Sequence, residues 1–282
     1  MYNVIIENES GESIDLMRED NMICVDIEGA SGSTATINET KNANIDGSTI
    51  NSERIDSRPI TLTVRIFGDY GNCRTKLYHY AVIKKNVKLT LINDVRSVYV
   101  EGKVKSIDGD PFTERQQMVI TILCPDSFFS EIIAIEKEFS NIIDMFVFPF
   151  EIEEAGIPFG VITDIKQSEV VNVGETDSGL EFVIKANDEV INPKIINMLT
   201  GEYIKLNYTM IPNEIIKIGT INKKKYVISI IDNVKTNIIN SFDLSSTWLN
   251  ARVGNNNFTY VADEGEEHIE AFSRFQNKYS GI

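Results

Sequence analysis

Alternation with a period of two limits this chain more than any other feature. Short runs rich in Ile, Val, Thr and Tyr recur between clusters of Gly, Asn, Asp and Ser: Tyr2 to Ile6, Met22 to Ile27, Ile60 to Phe67, Lys88 to Ile92, Ser97 to Lys105 and Gln117 to Cys124. Successive side chains on a strand point to opposite faces, so such runs bury one face and wet the other. One segment departs from this rhythm. Between Cys73 and Lys85, the residues Leu77, Tyr80, Ala81 and Lys84 fall at helical spacing without Gly or Pro, which predicts a single helix packed on a sheet. After Cys124-Pro125-Asp126 the register resets through Phe128-Phe129, Ile132 to Phe139 and the aromatic stretch Phe146 to Phe150, placing a domain boundary near residue 130. Beyond it, strands are expected at Glu169 to Val173, Leu180 to Lys185, Lys194 to Asn197, Tyr203 to Tyr208, Glu214 to Gly219, Lys225 to Ile230, Asn257 to Val261 and Glu267 to Phe275. That density suits a two-sheet sandwich better than an open sheet. The expected fold is mainly β: residues 1–130 form a β-sandwich or split-barrel-like domain with one helix, and residues 131–282 form a second sandwich.

Charge narrows the partners. The chain carries 27 Lys+Arg against 42 Asp+Glu, a formal net charge of -15. Residues 1–130 hold 14 basic and 19 acidic residues and the remainder 13 and 23, so the nets are -5 and -10. Phosphate contacts need Lys and Arg to displace counterions, so stable binding to nucleic acid or to an anionic membrane is not expected. The first residues lack a basic segment followed by a long apolar one, and no apolar run approaches the roughly 20 residues of a spanning helix. The chain is therefore expected to be soluble and made without a secretory signal. Cys24, Cys73 and Cys124 are far apart and odd in number, so they read as small buried hydrophobes in a reducing compartment, not as a disulfide framework or zinc site.

A search for chemistry finds little. His79 lies in the helical segment and reads as half-buried, whereas His268 reads as a solvated strand residue; neither has a partner at metal-ligand spacing. No nucleophile elbow is present, the nearest sequence being Gly29-Ala-Ser-Gly-Ser33, and no phosphate-cradling glycine motif occurs. Asn42-Ala-Asn44-Ile-Asp46-Gly47 followed by Glu53 resembles a calcium loop with Asn in first place. Such a loop needs flanking helices, yet its flanks favour strands, so the segment reads as a hairpin with a turn at Asp46-Gly47. Carboxylate pairs such as Glu153-Glu154 and Glu266-Glu267 are adjacent and would point to opposite faces of a strand. No cofactor, metal or catalysis is expected. The polar stretch Glu28 to Arg58 is a candidate inter-subunit arm, with Asn44, Asp46, Gly47 and Arg54 as its candidate contact residues, able to reach a neighbour by strand addition.

Several local signatures occur in a definite order: Asp46-Gly47-Ser48, Arg58-Pro-Ile-Thr-Leu-Thr-Val64, Arg96 to Val104 and Val119 to Phe129. Asn192-Pro-Lys-Ile-Ile-Asn197, Thr200-Gly-Glu-Tyr-Ile204, Ser246-Thr-Trp-Leu249, Val253-Gly-Asn255 with Phe258-Thr-Tyr260, and Tyr279-Ser-Gly-Ile282 follow. In this order they resemble the distal tail protein family of phages, the siphovirus-type tail component. The family ends its first domain in a Cys-x-Asp-Pro turn, whereas here proline precedes aspartate in Cys124-Pro125-Asp126. The resemblance implies a galectin-like second sandwich. It also implies a homohexameric ring in a virion tail or phage-tail-like particle, assembled from protein made in the host bacterial cytoplasm. The ring would join the tail tube protein to the tail hub or tail-associated protein. Trp248, the only tryptophan, reads as a core plug. A second reading, a carbohydrate-binding module contacting cell-wall glycan, would use Trp248 and Tyr260.

Overall fold

The alternating runs become strands throughout the computed structural model, which describes residues 2–41, 46–144, 160–221 and 224–282. The first half forms β1 (Asn3–Asn8), β2 (Ser13–Asp15), β3 (Met22–Glu28), β4 (Ala35–Lys41), β5 (Ser48–Ile55), β6 (Arg58–Ile66), α1 (Tyr70–Tyr80), β7 (Asn86–Ile92), β8 (Ser97–Gly109), β9 (Gln117–Cys124) and β10 (Phe129–Glu131). The second half forms β11 (Ile135–Glu138), β12 (Ser140–Asp144), β13 (Gly160–Asn172), β14 (Ser178–Ala186), β15 (Val190–Ile191), β16 (Lys194–Asn197), β17 (Tyr203–Lys205), β18 (Thr209–Met210), β19 (Ile215–Gly219), β20 (Tyr226–Ile231), β21 (Val234–Asn237), β22 (Asn250–Ala251), β23 (Gly254–Val261), β24 (Ile269–Phe275) and β25 (Lys278–Tyr279). The chain divides into two units, one reaching Ile132 and including Lys278–Ile282, the other Ile133–Asn277. Tyr279–Ile282, expected in the second domain, thus lie in the first.

The first unit is one antiparallel sheet in the order β2-β1-β7-β8-β9-β6-β3, extended by β10 and β25. Its alternating residues build one core, for example Ile60, Leu62 and Val64 from β6 against Met118, Ile120 and Ile122 from β9. The sheet curls until its ends share Leu16, whose N–H donates to Val4 and whose carbonyl accepts from Cys24 N–H. β2 and β3 do not pair as strands, so the barrel stays split. Helix α1 starts where Asp69 caps it, its carboxylate accepting from the N–H groups of Gly71 at 2.8 Å and Asn72 at 3.3 Å. It buries Cys73 and Leu77 and stops at Tyr80, short of the expected Lys85. Lys84 turns left-handed (φ 68°) and donates its N–H to Val104 of β8, so that donor serves the sheet and not another helical turn. His79 is exposed, not half-buried, and meets Glu12 at 2.7 Å.

The second unit is a sandwich of two antiparallel sheets, β11-β24-β14-β19-β20-β21 and β12-β13-β23-β16-β17. Phe182 of β14 meets Phe258 of β23 edge-on at 5.3 Å across the core, and Tyr260 meets Phe139 at 5.6 Å. Two sequence expectations need correction. β23 begins at Gly254, ahead of the expected start at Asn257, so Gly254-Asn255-Asn256-Asn257 is its first half. Asn256 points inward with Phe258, and its amide donates to Arg252 O at 2.7 Å and Gly254 O at 3.1 Å, so a buried side chain satisfies the carbonyls of the preceding turn. His268 closes a single 3-10 turn, Glu266–His268, before β24 begins.

Candidate functional site

The feature most clearly projecting from a core is the arm. β3 and β6 are neighbours in the first sheet, pairing as far as Glu28↔Thr61. Between them the chain leaves that sheet and makes a separate two-stranded ribbon, β4 against β5, from Ala35↔Ile55 to Lys41↔Ser48. Every residue of β5 is exposed. The turn-side residues Asp46 and Gly47 are exposed, with Gly47 at φ 98°, a conformation that glycine adopts without strain. Asn44 lies outside the described residues, as do Asn42, Phe146 to Phe150 and Glu153-Glu154. Arg54 sits at the opposite end of the ribbon across from Thr36, its Nε 3.3 Å from Asp56. The strand flanks also remove the helices a calcium loop would need.

The arm's root is fastened by residues distant in sequence. Arg58, only 3% exposed, donates from Nη2 to Ser33 Oγ and to the carbonyl of Ser280, and its guanidinium lies 4.6 Å from the Phe129 ring centroid. Burial lowers its pKa. Arg96 donates to Gly281 O at 2.8 Å and stacks over Tyr279 at 4.2 Å. Ile282 N–H donates to Ala30 O at 3.3 Å, and Lys278 pairs with Asp126 at 2.7 Å. Sequence periodicity holds no sign of these contacts.

The two aromatic residues of the carbohydrate reading are not brought together. Trp248 stacks on Phe242 at 4.3 Å with a 13° interplanar angle and packs against the second core, with Lys225 Nζ 5.3 Å from its ring. Tyr260 is 3% exposed and donates its hydroxyl to Ile269 O at 2.8 Å, so no ring face remains for a sugar. A shallow groove of about 180 Å³ lies elsewhere, bounded by Glu181, Lys217, Tyr226, Ile228, Ile230 and Lys235. There Tyr226 donates to Glu181, and burial together with that carboxylate raises the phenol's pKa. Cys24, Cys73 and Cys124 are buried and free. Burial pushes the Cys24 thiol to about 11 and the Cys124 thiol to about 12, which keeps them protonated and weakly nucleophilic near neutral pH. Among the described residues no helix is long and apolar enough to cross a membrane.

Residues 173–279 match the family described as siphovirus-type tail component, C-terminal domain. That match takes in most of the second unit. Solved structures share the fold of the whole chain. The SPP1 Dit (gp 19.1) protein, a paradigm of the hub adsorption apparatus in phages infecting Gram-positive bacteria, superposes with a TM-score of 0.71 at 11% identity, covering 99% of each chain. A chain of the phage P2 baseplate, in its activated conformation with Ca, superposes with a TM-score of 0.59 at 10% identity over 100% of each. The same baseplate with Sr gives the same values, a TM-score of 0.59 and 10% identity. No curated protein matches the sequence. The fold of these phage proteins is thus shared along the whole chain at low sequence identity.

Proposed function

We propose that the chain is a structural, non-catalytic baseplate protein whose six copies close a ring between the tail tube protein above and the tail hub or tail-associated protein below. The observation that carries this reading is the β4–β5 ribbon, which leaves the first sheet and keeps every residue of β5 exposed. An isolated two-stranded ribbon is marginal in water, so its retention favours a neighbour that covers it. The tail-component domain and the whole-chain likeness to proteins of phage tails support the same reading. Six copies at -15 each give a strongly acidic assembly, through which DNA would pass without the counterion release that basic walls provoke. The particle is a virion tail or a phage-tail-like particle, with the protein made in the host bacterial cytoplasm.

Light scattering on the purified chain is expected to give about 191 kDa, six times 31.8 kDa. Removing residues 35–55 is expected to leave a folded monomer. An oligomer unchanged by that deletion would refute the arm's role.

A further inference from the structure

The arm has two chemically different faces, and a single inserted residue creates them. Ala35↔Ile55 and Ile37↔Glu53 share one face, Thr36↔Arg54 and Asn38↔Ser52 the other. Regular alternation would put Ile50 with Ser52 on the second face. The register shifts instead at Asn38/Glu39, so that Ile50 pairs with Glu39 and Asn51 is the extra residue. Such a bulge moves every later side chain to the opposite face. Ile55, Ile37 and Ile50 therefore zigzag along one face, exposed by 51%, 56% and 60%. The other face closes on itself: Thr36 donates to Asp56 at 2.6 Å, Asn38 to Ser52 at 2.9 Å, and Asn51 to Thr40.

A surface that fits this face lies on the same unit. After α1, Val82 and Ile83 are adjacent and exposed by 46% and 49%, and exposed Lys84 and Lys85 follow. The turn is held rigid, with Lys84 N–H on Val104 O at 2.9 Å and Lys85 N–H on Val82 O at 3.1 Å. Glu39 is paired with Lys41 at 3.7 Å and Lys85 with Glu9 at 3.2 Å, so the complementary charges are Glu53 beside the arm's isoleucines and Lys84 beside the apolar turn. The two surfaces differ from each other, and both are exposed within one chain. A contact between unlike surfaces of identical chains is head-to-tail, and head-to-tail contacts close into rings when the rotation permits.

We infer that the Ile37–Ile50–Ile55 face of one copy's arm docks on the Val82–Ile83–Lys84 turn of the next copy. The inference rests on the ring reading above and names its contact.

Two variants and their mixture test it by sedimentation velocity. The arm variant carries Ile37→Thr, Ile50→Thr and Ile55→Thr; the turn variant carries Val82→Ser and Ile83→Ser. All five positions face solvent, and circular dichroism checks that each variant keeps the wild-type fold. Each variant alone should be monomeric. An equimolar mixture should yield a species of about 64 kDa, twice 31.8 kDa, because one intact arm meets one intact turn. A polar-face control, Asn38→Ala, should assemble like wild type. An arm variant that still forms the full ring would overturn the docking while leaving the ring itself standing, as would a mixture that stays monomeric beside an assembling wild type. Wild-type protein that is monomeric even at millimolar concentration would remove both.

Discussion

Glu214 has no exposed surface, yet its carboxylate is fully engaged. Tyr208 donates to Oε1 at 2.9 Å, Ser229 donates to the same oxygen, and Ile211 N–H donates to Oε2 at 3.0 Å. Replacing it by alanine would leave three donors without this acceptor, one of them on buried Ser229. An unsatisfied buried donor costs about 1–3 kcal/mol and a partly exposed one less, so Glu214→Ala should lower unfolding stability by about 2 kcal/mol in urea. Glu214→Gln keeps an acceptor oxygen and should lose less than half of that; equal losses would show that packing, not hydrogen bonding, sets the effect. Part of this was legible in the sequence. Glu214 has the parity of Ile216 and Ile218, which are buried, and Asn256 has the parity of Phe258 and Tyr260. A polar residue in phase with a buried face signals an internal hydrogen-bond role, whereas the identity of its partners, near ones such as Ile211 and remote ones such as Ser229, depends on how the chain folds around it.

At the scale of elements, alternation located most strands because burial on one face is a local property of a strand. The helix was legible as well, and Asp69 at its N-cap marks its start. Its end was not, since Lys84 donates to β8, an element that begins further along the chain. The arm's existence followed from a long polar stretch with a turn signal between two apolar strands. Its amphipathic character did not, because the bulge at Asn51 depends on which residues pair. The closing segment is a parallel case. Removing residues 278–282 takes away β25, the Ser280 acceptor of buried Arg58 and the Gly281 acceptor of Arg96. The first unit should lose about 2 kcal/mol from the orphaned Arg58 donor alone. Amide exchange at Asp56, whose N–H donates to Thr34 O at the arm's root, should rise at least tenfold. Unchanged exchange there would mean that the segment is not a fastener of the arm.

For the whole molecule, each unit has its own apolar cluster, one centred on residues such as Leu62, Leu89 and Phe129, the other on Phe182, Ile216 and Phe258. A unit with its own core folds independently when its boundaries fall between contacts. The fragment 133–277 should therefore show a β-type spectrum and a single cooperative melt by itself, and a fragment without cooperative unfolding would contradict this division. The sequence by itself determined the mainly β class, the single helix and the exposed hairpin, because each rests on periodicity or turn chemistry within a few residues. Only the tertiary structure decided that Tyr279–Ile282 return to the first unit, that Tyr260 is enclosed while Trp248 stacks on Phe242, and that three isoleucines share one face of the arm. Those outcomes depend on pairing register and on contacts between residues far apart in the chain, which no local pattern encodes.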